Sequence, residues 1–194
     1  MWALIEDGSI TKFINNPKAM VIGDIQYSRN IFSFRWSNEE REAIGLYEIV
    51  FDNTNKKDEE YYTNTNQSFA FAGGAVTASY GSATAKALAD VTNEDDSITP
   101  GLKTKHKEII KQQSSGLLTN YDWYVIRKAD AGTAVPSAIT TYRAAVRTKS
   151  GQMETAIDNA ADVDALAALY EYVNTGTEEN PVMERPLGEF PEAV

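Results

Sequence analysis

The sequence predicts an α+β fold with a small antiparallel β-rich domain over residues 1–92, a helical domain over 97–175 and an extended segment over 176–194. Short apolar runs interrupted by glycine predict strands in the N-terminal half, whereas apolar residues at helical spacing predict helices in the C-terminal half. The polar, acidic stretch Asn93–Ser97 has neither pattern, and we place the domain boundary there.

The first domain begins with a predicted hairpin over Trp2–Phe13, because Asp7-Gly8 suits a two-residue turn between two apolar runs. A short helix is predicted to begin at Ser37, which forms a capping box with Glu40, and to end near Gly45.

Two further patterns complete the predicted sheet. Tyr47, Ile49 and Phe51 fall on one face of a strand and Glu48 on the other, which predicts a half-buried strand paired with the first hairpin. Alternating residues on both sides of Gly73-Gly74 predict a second hairpin. We therefore expect a mainly antiparallel sheet with one covered face.

The second domain is predicted to begin with a helix that has Thr99 as its N-cap and Pro100 at its first helical position. Its apolar stripe comprises Leu102, His106, Ile109 and Ile110. The apolar run 117–127 predicts a strand or an extended segment, and another helix is expected from Pro136 to about Lys149.

Two more helical stretches are predicted to follow. Met153 and Ile157 lie four residues apart on one face, and Asp162 is a predicted N-cap for the last stretch. The segment from Gly176 contains three prolines and many glutamates, so we expect it to be extended and ordered only against a partner. Its candidate contact residues are Pro181, Pro186, Leu187, Phe190 and Pro191.

The amino-acid composition argues against several classes of function. The chain has 28 acidic and 18 basic side chains, a net charge of -10, which opposes binding to nucleic acid and to anionic membranes. It has no cysteine and one histidine, which excludes thiolate chemistry and any site with two imidazoles. We expect no cofactor, no metal site and no membrane segment, in a soluble protein made without an export signal.

No residue pattern indicates a catalytic centre. His106 lies on a predicted helix stripe, where a residue at the edge of the core is the better interpretation. The acidic clusters Asp58–Glu60 and Glu94–Asp96 lack the spacing of a calcium loop and are interpreted as solvated charge. We therefore predict that the protein is not an enzyme; a glycan hydrolase using carboxylates is the enzymatic alternative.

One cluster suggests a structural motif. Tyr121, Trp123 and Tyr124 are suited to stacking on a sugar or on a partner's side chain, but for Trp123 the apolar context favours burial in the core. Asp122 needs a partner if it is buried, and Arg143 or Arg147 is able to supply one.

The order of these residues resembles a family found in tailed bacteriophages, the tail assembly chaperones. The shared features are Leu117-Leu118, the Asp122-Trp123 pair, Pro136, Tyr142-Arg143 and a second arginine, Arg147. Tyr121 stands where that family has a threonine. The segment from Glu154 to Leu166 is similar to helices that follow this domain in other tail and tail-fibre-associated proteins.

The N-terminal part is similar to the beginnings of phage tail-region proteins, on the residues Met1–Ile5, Trp36–Glu40 and Ile44–Tyr47. The two resemblances carry no catalytic residue. They imply a non-enzymatic structural protein of the virion tail, assembled in the host cytoplasm and acting in several copies at the baseplate or the tail-fibre attachment. Its partners would be other tail, baseplate or tail-fibre proteins. The alternative is a cytoplasmic chaperone of tail or fibre subunits that is absent from the mature particle.

Overall fold

A computed structural model describes all of residues 1–194, and the fold is α+β. The chain forms two compact units, residues 1–84 and 85–194. This division differs from the boundary predicted at Asn93–Ser97, because those residues form the turn of a short hairpin inside the second unit. Hydrogen bonds within the turn, such as that from the Asn93 side chain to Ser97 Oγ, hold it.

The first unit consists of short strands, one 3₁₀ helix (Arg29–Phe32) and one short α-helix, α1 (Asn38–Glu42). Its strands are β1 (Trp2–Glu6), β2 (Ser9–Ile14), β3 (Met20–Ile22), β4 (Ile25–Tyr27), β5 (Leu46–Asp52), β6 (Tyr62–Thr63), β7 (Ser68–Ala72) and β8 (Ala75–Ser79). The two-residue strand β9 (Thr84–Ala85) lies at the junction of the units.

Five of these strands form one mixed sheet in the order β2-β1-β5-β8-β7. β5 and β8 are parallel, whereas the other neighbouring pairs are antiparallel. The expectation of a mainly antiparallel sheet is confirmed, since three of the four neighbouring pairs are antiparallel; the parallel β5–β8 pair was not predicted. After β5 the chain enters the sheet again as the edge strand β7, and the β7–β8 hairpin places β8 between β5 and β7, so that β8 runs in the same direction as β5.

The sheet is covered on both faces, which corrects the prediction of one covered face. Ala3, Ile49, Val76 and Ala78 form a core on one face, while Leu46 packs with Ile14 and Ile31 on the other. Leu46 and Ile49 are both buried because β5 contributes to both cores, and Phe51, predicted to share the buried face, is 47% exposed.

Local predictions in this unit are confirmed. The first hairpin turns at Asp7 and Gly8, both with positive φ as a type I′ turn requires. The second turns at Gly73 and Gly74, and β5 pairs with β1. The Ser37 capping box is present: Ser37 Oγ accepts from the Glu40 amide, and the Glu40 carboxylate accepts from the Ser37 amide.

A buried arginine on α1 organises the segment that covers the second core. Arg41 is 7% exposed, and its guanidinium donates to the backbone carbonyls of Ile31 and Ser33 and to Oδ1 of Asn38. It also lies 5.0 Å from the centre of the Trp2 ring. These hydrogen bonds satisfy backbone carbonyls at the end of the 3₁₀ helix. Such carbonyls have no partner within the helix itself.

The second unit is mainly helical. Its helices are α2 (Leu102–Thr119), α3 (Asp122–Ala131), α4 (Ser137–Asn159) and α5 (Val163–Ala168). Its strands form two short hairpins, β10 (Val91–Thr92) with β11 (Ile98–Thr99) and β12 (Val173–Asn174) with β13 (Met183–Glu184). No helix in the chain combines the length and hydropathy that crossing a membrane requires.

α2 and α4 pack as an antiparallel pair. The Lys107 ammonium lies 2.7 Å from the Asp158 carboxylate near one end, and Lys111 lies 3.6 Å from Glu154 further along. The Asp158 carboxylate raises the pKa of Lys107, chiefly by accepting its hydrogen bond. Apolar stripes lie between the helices, and the buried residues are Leu102, His106, Ile110, Tyr142, Val146, Met153 and Ile157.

The predicted strand or extended segment over 117–127 is wrong. Leu117 and Leu118 belong to the last turn of α2, and α3 begins at Asp122. A short apolar run does not distinguish a strand from a helix. Asp122 lies in the first turn of α3, where a carboxylate is favourable to the helix dipole.

The helix boundaries also differ from prediction. α2 is capped by Gly101 rather than Thr99, which lies in β11, and the buried stripe of α2 continues with Ser114 while Ile109 is 44% exposed. α4 is one helix that passes through Gly151, where two stretches were predicted. A central glycine costs roughly 1 kcal/mol, and packing of the continuous buried stripe offsets that cost. The Asp162 N-cap is confirmed.

The segment from Gly176 is ordered in part by its own unit. Leu187 is 2% exposed, and its amide donates to the Leu169 carbonyl. β13 pairs with β12, and Glu189 accepts hydrogen bonds from Tyr172 and Arg185. The expectation that this segment is ordered only against a partner is therefore wrong, because Leu187 is buried within the chain itself.

We predict that Arg41→Ala lowers the free energy of unfolding of the first unit by about 3 kcal/mol, since buried carbonyls lose charge-assisted hydrogen bonds. Urea unfolding followed by the fluorescence of Trp2 and Trp36, in a Trp123→Phe background, measures this change. Arg35→Ala removes an exposed arginine and is the matched control, with a change within about 0.5 kcal/mol. Equal effects of the two substitutions would contradict the role given to Arg41.

We also predict that Gly45→Ala destabilises the first unit more than Gly8→Ala does. Both glycines have positive φ, so both substitutions strain the backbone by about 1 kcal/mol. A Cβ at Gly45 would in addition overlap the carbonyl oxygen of Ile5, whereas a Cβ at Gly8 meets open space. The same urea titration compares the two variants. Similar losses in the free energy of unfolding would show that the backbone near Ile5 moves to accommodate the methyl group, and would contradict the prediction.

Candidate functional site

Several residues of the tail-assembly-chaperone resemblance meet at the corner between the end of α2 and the start of α3, which packs against α4. Asp122 and Arg143 form an ion pair with 2.8 Å between carboxylate and guanidinium, and Arg143 also donates to the Leu118 carbonyl at 2.6 Å. The Arg143 side chain is 10% exposed and the Asp122 side chain 50% exposed. Of the two arginines considered as partners of Asp122, Arg143 makes the contact, and it joins the end of α2 to α3 and α4.

Two tyrosines pack next to the Asp122–Arg143 ion pair. The rings of Tyr121 and Tyr142 meet edge to face with 5.2 Å between their centres, and the Tyr121 hydroxyl donates to the Val194 carbonyl. Tyr142 is 4% exposed, and its hydroxyl has no hydrogen-bond partner. Burial raises the pKa of Tyr142, so this side chain stays a neutral phenol and packs as an aromatic residue.

Trp123 is not a core residue, which corrects the prediction. It is 50% exposed, and its ring lies against Tyr124 with 3.8 Å between ring centres. The Arg127 guanidinium lies over both rings, at 4.7 Å from the centre of Trp123 and 5.3 Å from that of Tyr124. α3 lies outside the α2–α4 core. Its large rings are therefore positioned by contacts with other residues of α3 and not by burial.

α3 presents apolar side chains to solvent. None of its residues is buried, and Val125 and Ile126 are 44% and 66% exposed. Val125 lines the cleft described below, whereas Trp123 and Ile126 lie three residues apart on one side of the helix, and we call these two residues the α3 apolar face. Apolar residues that are grouped on one exposed helix, rather than scattered singly, are typical of a surface that binds another protein.

A cleft of about 320 Å³ lies between α3, the following loop and the start of α4. Its lining includes Val125, Lys128, Ala134, Val135, Arg143 and Arg147. Arg147, one of the predicted site residues, thus borders the cleft instead of pairing with Asp122. The sequence analysis did not identify Val125 or Lys128, although the concentration of basic residues in this part of the chain was a signal that pointed to Lys128.

The predicted contact residues of the C-terminal segment form a separate group. Leu187 is buried, Pro181 and Pro186 are exposed, and Phe190 and Pro191 line a recess with Gly116 and Leu117 of α2. None of them lines the α3–α4 cleft. The structure therefore does not join the two sets of predicted residues into one site.

The remaining titratable candidates lie in ordinary structural settings. His106 is 3% exposed, deeper than the core edge predicted for it, and its Nδ1 lies 2.9 Å from the Tyr170 hydroxyl. Hydrogen bonds from the Ser97 side chain and backbone hold the pKa of Asp95 below its usual value. No group of three or more histidine, aspartate or glutamate side chains is arranged to hold a metal ion.

Comparison of the chain with protein-family models, with curated proteins and with solved structures gave no match.

The Asp122–Arg143 pair gives a stability prediction. Asp122→Asn is expected to cost about 0.5–1 kcal/mol, because the carboxylate is half exposed, and Arg143→Met about 2–3 kcal/mol, because it also leaves the Leu118 carbonyl without a donor. Urea unfolding followed by helical circular dichroism measures both, and a double-mutant cycle isolates the pair. Asp130→Asn, on the exposed side of the same helix, is the control. An Asp122→Asn cost no larger than that of the control would mean that the pair does not contribute.

Proposed function

We propose that the protein is a non-enzymatic structural component of a bacteriophage tail that acts through protein–protein contacts at the baseplate or tail-fibre attachment. The observation that carries the proposal is the arrangement of the residues that resemble tail proteins. Asp122, Tyr142 and Arg143 form the support on which α3 rests, while the next residues of α3 form its exposed apolar face. A motif that fixes a helix and leaves its apolar side unoccupied suits a docking element.

The ion pair at the start of α3 also supports this proposal. The ion pair holds α3 without burying any of its residues, so the apolar face is available to a partner at little cost in rearrangement. Burying one exposed isoleucine at an interface contributes about 1.5–3 kcal/mol, which is enough to change affinity by tenfold or more. An element of this kind suits a part that is present in several copies among other tail proteins.

Quantitative mass spectrometry of gradient-purified particles from a phage that encodes this chain tests the proposal. We expect the chain to be present at a fixed small-integer ratio to a tail protein of known copy number. Its absence from particles, together with its presence in the infected-cell lysate, would overturn the virion assignment in favour of the assembly chaperone.

A matched pair of variants tests the α3 apolar face in the same experiment. In a phage that lacks its own copy and is complemented from a plasmid, Ile126→Ser is expected to reduce incorporation into particles severalfold. Ile98→Ser changes an isoleucine of nearly equal exposure, 64% against 66%, on the β10–β11 hairpin and is the control. Equal incorporation of the two variants would exclude the α3 face as the contact.

A further inference from the structure

The part of the chain that surrounds the α3–α4 cleft has a charge opposite to that of the whole. Residues 122–149 contain five basic and two acidic side chains, whereas the chain carries a net charge of -10. The basic residues are Arg127, Lys128, Arg143, Arg147 and Lys149. A local positive region on an acidic protein attracts anionic partners to that region and leaves the rest of the surface repulsive to them.

Two cations at the cleft are not used by the fold. On α2, Lys107 and Lys111 pair with carboxylates of α4, and at the cleft itself Arg143 pairs with Asp122. Lys128 and Arg147 are exposed and form no ion pair within the chain. They lie on different helices at the rim of one cleft, so an anionic group that enters it meets donors from both sides.

The cleft between these cations is apolar. Val125 of α3 and Ala134 and Val135 of the connecting loop line it, and Val125 is 44% exposed. The loop begins at Gly132, in the left-handed conformation that ends α3, and leads to Pro136 at the start of α4. These two residues fix the ends of the loop that lines the cleft.

We propose that this cleft binds an acidic segment of a partner protein, with an apolar side chain placed against Val125 and Val135 and with carboxylates at Lys128 and Arg147. The inference rests on the proposed role in protein contacts, to which it adds the partner's chemistry. The apolar lining distinguishes such a segment from a nucleic acid, since a phosphodiester backbone gains nothing from the valines and is repelled by the net charge of the chain.

Fluorescence anisotropy on the full chain tests the inference with a labelled peptide of alternating glutamate and leucine. Two further peptides separate the contributions: alternating serine and leucine removes the charge, and alternating glutamate and serine removes the apolar side chains. We expect the glutamate–leucine peptide to bind most tightly, and its affinity to fall as salt screens the charges. Tighter or equal binding of a single-stranded oligonucleotide at the same salt would overturn the proposal.

Charge reversal locates the binding. The double variant Lys128→Glu, Arg147→Glu is expected to weaken the glutamate–leucine peptide about tenfold, because two attractive contacts become repulsive. The matched control, Lys105→Glu, Arg35→Glu, reverses one exposed lysine and one exposed arginine that do not line the cleft, and it changes the net charge equally. Circular dichroism verifies that both variants are folded.

Each result decides the question. Weaker binding in the cleft variant alone supports the proposal, whereas equal loss in both variants would show a general effect of net charge and overturn it. Failure of the wild-type chain to prefer the glutamate–leucine peptide would also overturn it. These outcomes are independent of particle composition, so presence in virions with no peptide binding would refute the cleft and leave the structural role intact.

Discussion

The antiparallel packing of α2 against α4 is the constraint on which the candidate site depends. Their buried stripes form the core of the helical unit, and Lys107 and Asp158 align the pair at one end. At the other end the same alignment brings Arg143 beside the Leu118 carbonyl and the Asp122 carboxylate. α3 is therefore held at its first turn by an ion pair rather than by a core of its own, and its apolar side chains stay exposed.

Charge has two different uses in the second unit. Lys107 and Lys111 pair with carboxylates of α4 and support the helix pair, whereas Lys128 and Arg147 remain without acidic partners at the rim of the cleft. Solvent-exposed ion pairs contribute little to stability, so the unpaired cations cost the fold little. In the proposed docking role, they direct an acidic partner to one side of an acidic protein.

The first unit is built on a different principle. Its curled sheet has β5 at the centre of two cores, and Phe13 of one edge strand packs against Phe69 of the other, with 4.6 Å between ring centres. The buried guanidinium of Arg41 replaces the regular hydrogen bonds that the irregular segment before α1 lacks. Ile31, Phe32 and Trp36 of this segment pack into the second core, while the Arg41 side chain satisfies backbone carbonyls that the irregular segment leaves without strand or helix partners.

The sequence by itself determined the local structure: both hairpin turns, the Ser37 capping box, the Asp162 cap and the α+β class. These depend on contacts within a few residues, which glycine, serine and aspartate specify directly. Tertiary structure decided the parallel pairing of β5 with β8, the helical state of 122–131, the exposure of Trp123 and the burial of Leu187. The strand pairing, the exposure of Trp123 and the burial of Leu187 depend on which distant segment covers a residue, and local spacing does not contain that information. For 122–131, a short apolar run does not by itself distinguish a strand from a helix.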